Sequence, residues 1–225
     1  MIKAEDLCFT YDQSKPCVLN HLYFTINDGE YVSVLGENGS GKTTLLRLML
    51  GFIKPNTGYI KLNTKNVGYV PQKSEATMSG FPITVYELLD SYRHLLKIND
   101  KSIIGNQLAI VKLEDKANTL IGDLSGGQQQ KVMITRALMG NPEILILDEP
   151  STGIDVESQK DIYRLIKHLN QHHKITVIAV EHNIQAAITY SSIIYHLAEG
   201  KGHFCDPKKY TEEYERKRIP TNDNI

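Results

Sequence analysis

Residues 36–44 read GENGSGKTT, directly after the apolar stretch YVSVL at 31–35 and directly before a run in which Leu45, Leu46, Leu48 and Met49 recur ahead of Gly51. The pattern G-x-x-x-x-G-K-[ST] carries chemistry only where a strand enters it and a helix leaves it, and both flanks are present. Glycines let the backbone curl so that successive N–H groups face phosphate oxygens. Lys42 is placed to reach β- and γ-phosphates, and the Thr43 hydroxyl to ligate Mg²⁺. The candidate nucleotide-binding segment is therefore Gly36, Glu37, Asn38, Gly39, Ser40, Gly41, Lys42, Thr43 and Thr44. Strand, glycine loop and helix in this order predict an α/β core.

A second element fits the first. Ile144 to Leu147 form an apolar run ending in Asp148 and Glu149. A buried strand delivers such acids to its C-terminal edge, where open α/β sheets bind ligands. Asp148 can hold a hydrated Mg²⁺, and Glu149 beside it can polarise an attacking water. A third element is GDLSGGQQQ at 122–130, running into Val132, Ile134, Ala137 and Leu138 at loosely helical spacing. A small-residue turn opening a helix directs backbone N–H groups outward at the positive end of the helix dipole, which makes a second anion site. One nucleotide does not need two.

The remaining stretches set the organisation. MIKAEDLCFTY and VLNHLYFTI alternate in polarity, and Asn27-Asp28-Gly29 is a hairpin turn signal, so an antiparallel ribbon is expected near the start. Short strands and a turn are expected from Asn56 to Gln72. From 73 to 140 two or three helices are expected. Thr84 and Glu87 form a capping box that opens one of them, with Leu88, Leu89, Tyr92, Leu95 and Leu96 on a shared face. EILILDEP and KITVIAVEHN bring back buried strands around the helix VESQKDIYRLIKHL. The expected division is an α/β core with a β-subdomain over 1–72 and 141–205, a helical subdomain over 73–140, and a solvated tail over 206–225.

Composition narrows the partners. Lys and Arg number 25 against 26 Asp and Glu, a formal net charge of -1, so no general positive field draws in nucleic acid. The longest apolar runs are far short of the roughly 20 residues that span a bilayer. The opening, with Lys3, Glu5 and Asp6, lacks the pattern of a signal peptide, and a cytosolic location is expected. Cys8, Cys17 and Cys205 are odd in number and show no paired spacing, which argues for packing residues rather than a disulfide framework. His168, His172 and His173 read as the cationic end of an amphipathic helix rather than a metal site.

GENGSGKT, LSGGQ, ILILDEP and the histidine of VEHN stand in the order and spacing of the ATP-binding cassette ATPases, and the chain resembles that family over nearly its whole length. The resemblance implies the P-loop NTPase core of that family, with an N-terminal antiparallel β-subdomain and an inserted helical subdomain. It implies that Tyr11 stacks on adenine, that Gln72 contacts the Mg²⁺ and γ-phosphate region and senses the membrane partner, that Asp155 joins the two active sites, and that His182 contacts the γ-phosphate. It also implies a head-to-tail homodimer in which Ser125, Gly126, Gly127 and Gln128 of one protomer close over the ATP of the other. The membrane path would then lie in separate permease subunits, at the cytoplasmic face of the membrane, served by an extracytoplasmic solute-binding protein. FPITVYELL and STGIDVESQKDIY resemble most the ATPase subunits of bacterial zinc and manganese importers. Those have Ser or Thr before the histidine and Asp after it, where this chain has Glu181 and Asn183. Competing readings are the ATPase of a transporter for another solute and a soluble cassette ATPase. A small-molecule P-loop kinase would lack LSGGQ, and a non-hydrolysing binding module would be expected to alter Glu149 or His182.

Overall fold

The computed structural model describes residues 1–12, 16–72 and 82–211. They divide into two compact units, Met1–Leu62 with residues from Val180 onward, and Asn63–Ala179. The expected division separated helices from strands; the observed second unit keeps strands together with the helices that pack beside them.

In the first unit, β1 (Ile2–Phe9) lies between β2 (Leu19–Ile26) and β4 (Thr57–Leu62) in an antiparallel sheet. β2 follows the alternation its sequence dictates, burying Leu22, Phe24 and Ile26 and exposing His21, Tyr23 and Thr25. The expected ribbon is therefore present, but Asn27-Asp28-Gly29 does not close it. The turn forms, with Gly29 at φ +78°, and it releases β3 (Tyr31–Leu35) to pair in parallel with β8 (Ile193–Ala198) instead of with β2. All five residues of β3 are apolar or small and buried, so a two-faced core suits it better than a half-solvated ribbon. β9 (Lys201–Cys205) extends β8 antiparallel.

Helix α1 (Lys42–Met49) ends as Gly51 predicts. Gly51 takes φ +70°, its N–H bonds the Leu48 carbonyl, and the Phe52 N–H bonds the Arg47 carbonyl, a Schellman closure. The short helix α6 (Ile184–Tyr190) packs on β3, and residues 207–211 form one further helical turn. Tyr210 in that turn is buried against Leu35, Ala187 and Ile194. The expected solvated tail is thus corrected for 206–211, because one aromatic ring anchors the segment; residues 212–225 lie outside the described residues.

The second unit holds β5 (Val67–Val70), β6 (Ile144–Asp148) and β7 (Thr176–Val180), whose last residue belongs to the first unit. β5 and β6 run parallel, Val70 opposite Leu147. Its helices are α2 (Val85–Leu95), α3 (Ser102–Val111), α4 (Gly126–Leu138) and α5 (Val156–His173). Val85, Leu89, Ile104, Leu108, Ile121, Val132 and Met139 make one apolar cluster among α2, α3 and α4. The Thr84–Glu87 capping box forms in both directions. The predicted apolar face of α2 stops early, however: Leu95 is 72% exposed, while Arg93 is buried and donates to Asp90 and the Ile98 carbonyl.

Candidate functional site

The phosphate loop is built by close packing. A Cβ at Gly36 would lie 2.1 Å from the Leu197 carbonyl oxygen, and one at Gly41 2.8 Å from the Leu19 side chain. Gly41 also takes φ +101°, which L side chains avoid. Gly41 is the N-cap of α1, which has no side-chain cap and no acid in its first turn. A helix start of that kind leaves its first N–H groups to an anion. Lys42 is buried, and its Nζ donates to the carbonyls of Gly36 at 2.8 Å and Glu37 at 2.9 Å, drawing the loop around its own ammonium.

Tyr11 stands over the same helix start. Its hydroxyl lies 3.2 Å from the Thr44 hydroxyl and accepts from Arg47 at 3.3 Å, and its ring meets Phe9 edge-on at 4.8 Å. Tyr11 is 59% exposed, unusual for so large an apolar side chain. A cleft of about 790 Å³ in the first unit is lined by Gly36 to Ser40, Val18, His182, His196 and Tyr210. The structure thus gathers the loop and His182 on one cleft. Beside that histidine, Glu181 donates its N–H to the Val34 carbonyl at 3.1 Å, and Asn183 caps α6 through the Ala186 N–H at 3.0 Å. Asn and Asp cap helices about equally well, so an aspartate in the place of Asn183 would start α6 in the same way.

In the second unit, register brings the next pair together. Gln72 is two residues past Val70, Glu149 is two past Leu147, and Val70 and Leu147 are opposite each other in the parallel ladder. The Gln72 Nε2 donates to Glu149 Oε2 at 2.8 Å, and the Thr152 hydroxyl donates to the same oxygen at 3.0 Å. Asp148 is buried at the strand end, and Glu149 turns to φ +50°, a left-handed conformation that is costly for a side chain of its size. With its amide nitrogen engaged, Gln72 keeps its oxygen as an acceptor. The Asp148 carboxylate and the Gln72 amide oxygen, at the ends of these two paired strands, are hard oxygen donors of the kind Mg²⁺ takes.

LSGGQ opens α4 with a full capping box. Ser125 Oγ accepts the Gln128 N–H at 3.3 Å, and Gln128 Oε1 accepts the Ser125 N–H at 2.9 Å. The Ser125 hydroxyl hydrogen is left to donate outward. Gly127 has a packing role as well: a Cβ there would lie 2.6 Å from Ser158 Cβ and Oγ. Ser158 in turn donates its N–H to Asp155 Oδ1 at 2.9 Å, the cap of α5. That backbone bond, with the Ser158 hydroxyl, holds the Asp155 carboxyl below the usual carboxylate range.

Sequence reasoning missed Gln129 and Gln159. Each stands four residues after a helix cap, Ser125 or Asp155, and each side-chain Nε2 donates to the carbonyls one and four residues before that cap. The Gln129 bonds reach Leu124 at 3.1 Å and Ile121 at 3.0 Å, and the Gln159 bonds reach Ile154 at 2.9 Å and Ser151 at 3.2 Å. The available signal was a cap residue followed at the fourth position by glutamine, repeated in both loops. Thr152 and Ser158 carried no signal in the sequence.

A strand, a glycine loop closed around a buried lysine, and a helix with an open N-terminus define a P-loop nucleotide-binding protein. The family model described as ABC transporter matches residues 19–152, and the chain belongs to that family. It is 48% identical to the "Probable metal transport system ATP-binding protein" of Treponema pallidum, over 95% of this chain and 89% of that protein. It is 35% identical to the "High-affinity zinc uptake system ATP-binding protein ZnuC" of Bacillus subtilis, over 89% and 92% of the two. Its fold matches the dimeric post-hydrolysis state of the ATP-binding cassette MJ0796 bound to ADP and Pi, with a TM-score of 0.76, 27% identity, and coverage of 92% of this chain and 99% of that one.

Proposed function

We propose that this chain is the ATP-hydrolysing subunit of a metal importer, with zinc or manganese as the transported ion. The observation that carries the hydrolytic part is the Glu149 carboxylate, held by Gln72 and Thr152 at the end of a buried strand. Neutral donors on Oε2 orient the carboxylate, as a residue that polarises water requires. The metal part rests on the names of the relatives, which are metal and zinc transport proteins.

Each residue then has a role in the proposal. Tyr11 stacks on the adenine, and Gly36 to Gly41 wrap the phosphates with backbone N–H groups. Lys42 exchanges its loop carbonyls for phosphate oxygens and offsets their charge. Thr43, Asp148 and Gln72 would hold Mg²⁺, which screens the phosphate charge when bound. Glu149 accepts a proton from the attacking water, and His182 steadies the γ-phosphate.

Ser125, Gly126, Gly127 and Gln128 of one protomer would cover the nucleotide of a second, a donor-rich helix start facing an anion. Asp155 would lie at the junction. The second anion site in the sequence thereby serves the partner's ATP. Closing such a sandwich excludes water, and hydrolysis releases it. No helix among the described residues is long and apolar enough to cross a membrane. The cargo path therefore belongs to integral permease subunits, with this chain bound at their cytoplasmic face through Gln72 and the helical segment, and a solute-binding protein on the other side.

The test is the metal content of a host in metal-limited medium, comparing the native chain with Lys42→Ala as the sole copy. A selective fall in zinc or manganese is expected. Unchanged metals, with a variant that is expressed and inactive as an ATPase, would keep the ATPase and remove the metal assignment.

A further inference from the structure

The antiparallel sheet of the first unit carries a group of side chains that nucleotide chemistry does not use. Asp6 and Cys8 on β1 and His21 on β2 bring a carboxylate oxygen, a sulfur and a ring nitrogen within 4.8 Å of one another. Among the described residues this is the one such group of three histidine, cysteine or acidic side chains. We propose that Asp6, Cys8 and His21 form a binding site for a borderline divalent cation of the zinc type.

The backbone at this point departs from a regular ladder. The β1–β2 register shifts between Ala4 and Leu7 and again between Leu7 and Phe9, and Asp6 and His21 take φ +50° and +51°. Left-handed conformations at two facing non-glycine residues are costly and persist only where the surroundings enforce them. Here β4 does so. Gly58, at φ +69°, runs so close that a Cβ would lie 2.2 Å from the Asp6 carbonyl oxygen, and the Thr57 hydroxyl donates to that oxygen at 3.4 Å. Bulges of this kind re-aim side chains. Their effect is to turn Asp6 and His21 toward each other and toward the sulfur two residues along the same strand.

The donor set points to the ligand. Sulfur, imidazole nitrogen and carboxylate oxygen together suit zinc, whereas magnesium and calcium take oxygen sets. The His21 backbone N–H donates to Cys8 Sγ at 3.1 Å and ties the sulfur to β2 beside the imidazole. The Tyr23 hydroxyl donates to Asp6 Oδ1 at 2.9 Å and orients the carboxylate from outside, the usual place of a supporting shell. His21 Nδ1 and Asp6 Oδ1 are hydrogen-bonded at 2.5 Å. Two ligands of a tetrahedral zinc stand about 3.4 Å apart, so admitting the ion opens the pair by about 0.9 Å. Both side chains are substantially exposed and can turn; Cys8 is buried and fixed. The fourth position faces solvent. This assignment does not depend on the proposed cargo, and neither result decides the other.

The experiment uses the full chain, reduced and freed of metal, titrated with Co²⁺ as a spectroscopic probe and then with Zn²⁺. One equivalent of Co²⁺ should give tetrahedral visible bands with a thiolate charge-transfer band, and Zn²⁺ should displace both. Cys8→Ser should remove the charge-transfer band. His21→Asn, chosen because asparagine accepts a left-handed backbone at an exposed position, should weaken Co²⁺ binding about tenfold or more while ATP turnover with Mg²⁺ alone is unchanged. His168→Ala with His172→Ala should change nothing. The proposal is overturned if no thiolate band forms, if it survives in Cys8→Ser, if His21→Asn binds as tightly as the native chain, or if the signal is lost with His168 and His172.

Discussion

The Gln72 amide and the Glu149 carboxylate form a direct hydrogen bond, Nε2 to Oε2 at 2.8 Å, across two loops that leave adjacent parallel strands. The bond couples the glutamine proposed to sense the membrane partner to the acid proposed to activate water. A movement of the Gln72 loop would therefore re-aim Glu149, whose φ of +50° is already a costly conformation.

Glu149→Gln keeps the shape and removes the base. ATP should still bind while turnover falls by about 10²- to 10⁴-fold, the usual contribution of a positioned general base. With hydrolysis blocked, a closed dimer should accumulate with Mg-ATP and be seen by size-exclusion chromatography with light scattering. A variant that stays monomeric under those conditions would count against the sandwich.

Lys42→Ala removes the ammonium that gathers the Gly36 and Glu37 carbonyls. Charge-assisted bonds to phosphate are worth about 1.5–3 kcal/mol, so ATP affinity should drop roughly 10- to 150-fold. Isothermal titration with a non-hydrolysable analogue measures it, and circular dichroism should show the fold retained. An unchanged affinity would mean that Lys42 does not leave its carbonyls for phosphate.

The phosphate loop was legible because its constraints are local: Gly36 and Gly41 stand where a side chain would overlap neighbours or force a left-handed backbone, and such demands are written residue by residue. The capping boxes at Thr84 and Ser125 were legible or latent for the same reason. Asn27-Asp28-Gly29 marked a turn correctly and a partner wrongly, because pairing of β3 is decided by Ile193 to His196, about 160 residues along the chain. Leu95 fitted the helical period of α2 yet found nothing to cover it, and Tyr210 in a charged segment found the cluster of Leu35, Ala187 and Ile194. Unpaired spacing suggests packing residues for all three cysteines, yet Cys8 is buried and Cys17 exposed. Burial is a property of the assembled layers, which a single stretch does not contain.

Gly127→Ala tests whether the second glycine of LSGGQ is needed for packing. The added methyl meets Ser158 Cβ and Oγ at 2.6 Å, and overpacking of this kind costs about 1–3 kcal/mol. Thermal unfolding should shift down accordingly. Ser158→Gly combined with it removes the overlapping atoms and should recover part of the loss. A single variant as stable as the native chain would show that α4 and α5 adjust freely.

Asp155 gives a pH-dependent prediction. Its carboxyl is held low by the Ser158 N–H, so its folded pKa lies below the unfolded value. The stabilisation is complete above the unfolded pKa and is lost as pH falls through the folded one. Asp155→Asn retains a capping oxygen without the titration. Its melting temperature should match the native protein near neutral pH and fall less steeply on acidification. Parallel curves would mean that the cap does not sense the Asp155 charge.

Gln129 and Gln159 brace two loops with the same geometry, and the loops differ in what they carry. Gln159 ties the carbonyls of Ser151 and Ile154, in the loop that follows Glu149, while Gln129 ties those of Ile121 and Leu124, ahead of Ser125. Substitution by methionine preserves length and removes both donors, leaving two partly buried carbonyls to find water. Each variant should lose about 1–3 kcal/mol, read as a melting temperature lower by roughly 2–4 °C per kcal/mol. Function should separate them. Gln159→Met loosens the segment holding Thr152, whose hydroxyl fixes Glu149, so turnover should fall with nucleotide affinity unchanged. Gln129→Met loosens the entry to the LSGGQ helix, so ATP-induced dimerisation should weaken while binding to the monomer is kept. Equal effects of the two variants on both readouts would mean that the braces serve stability alone.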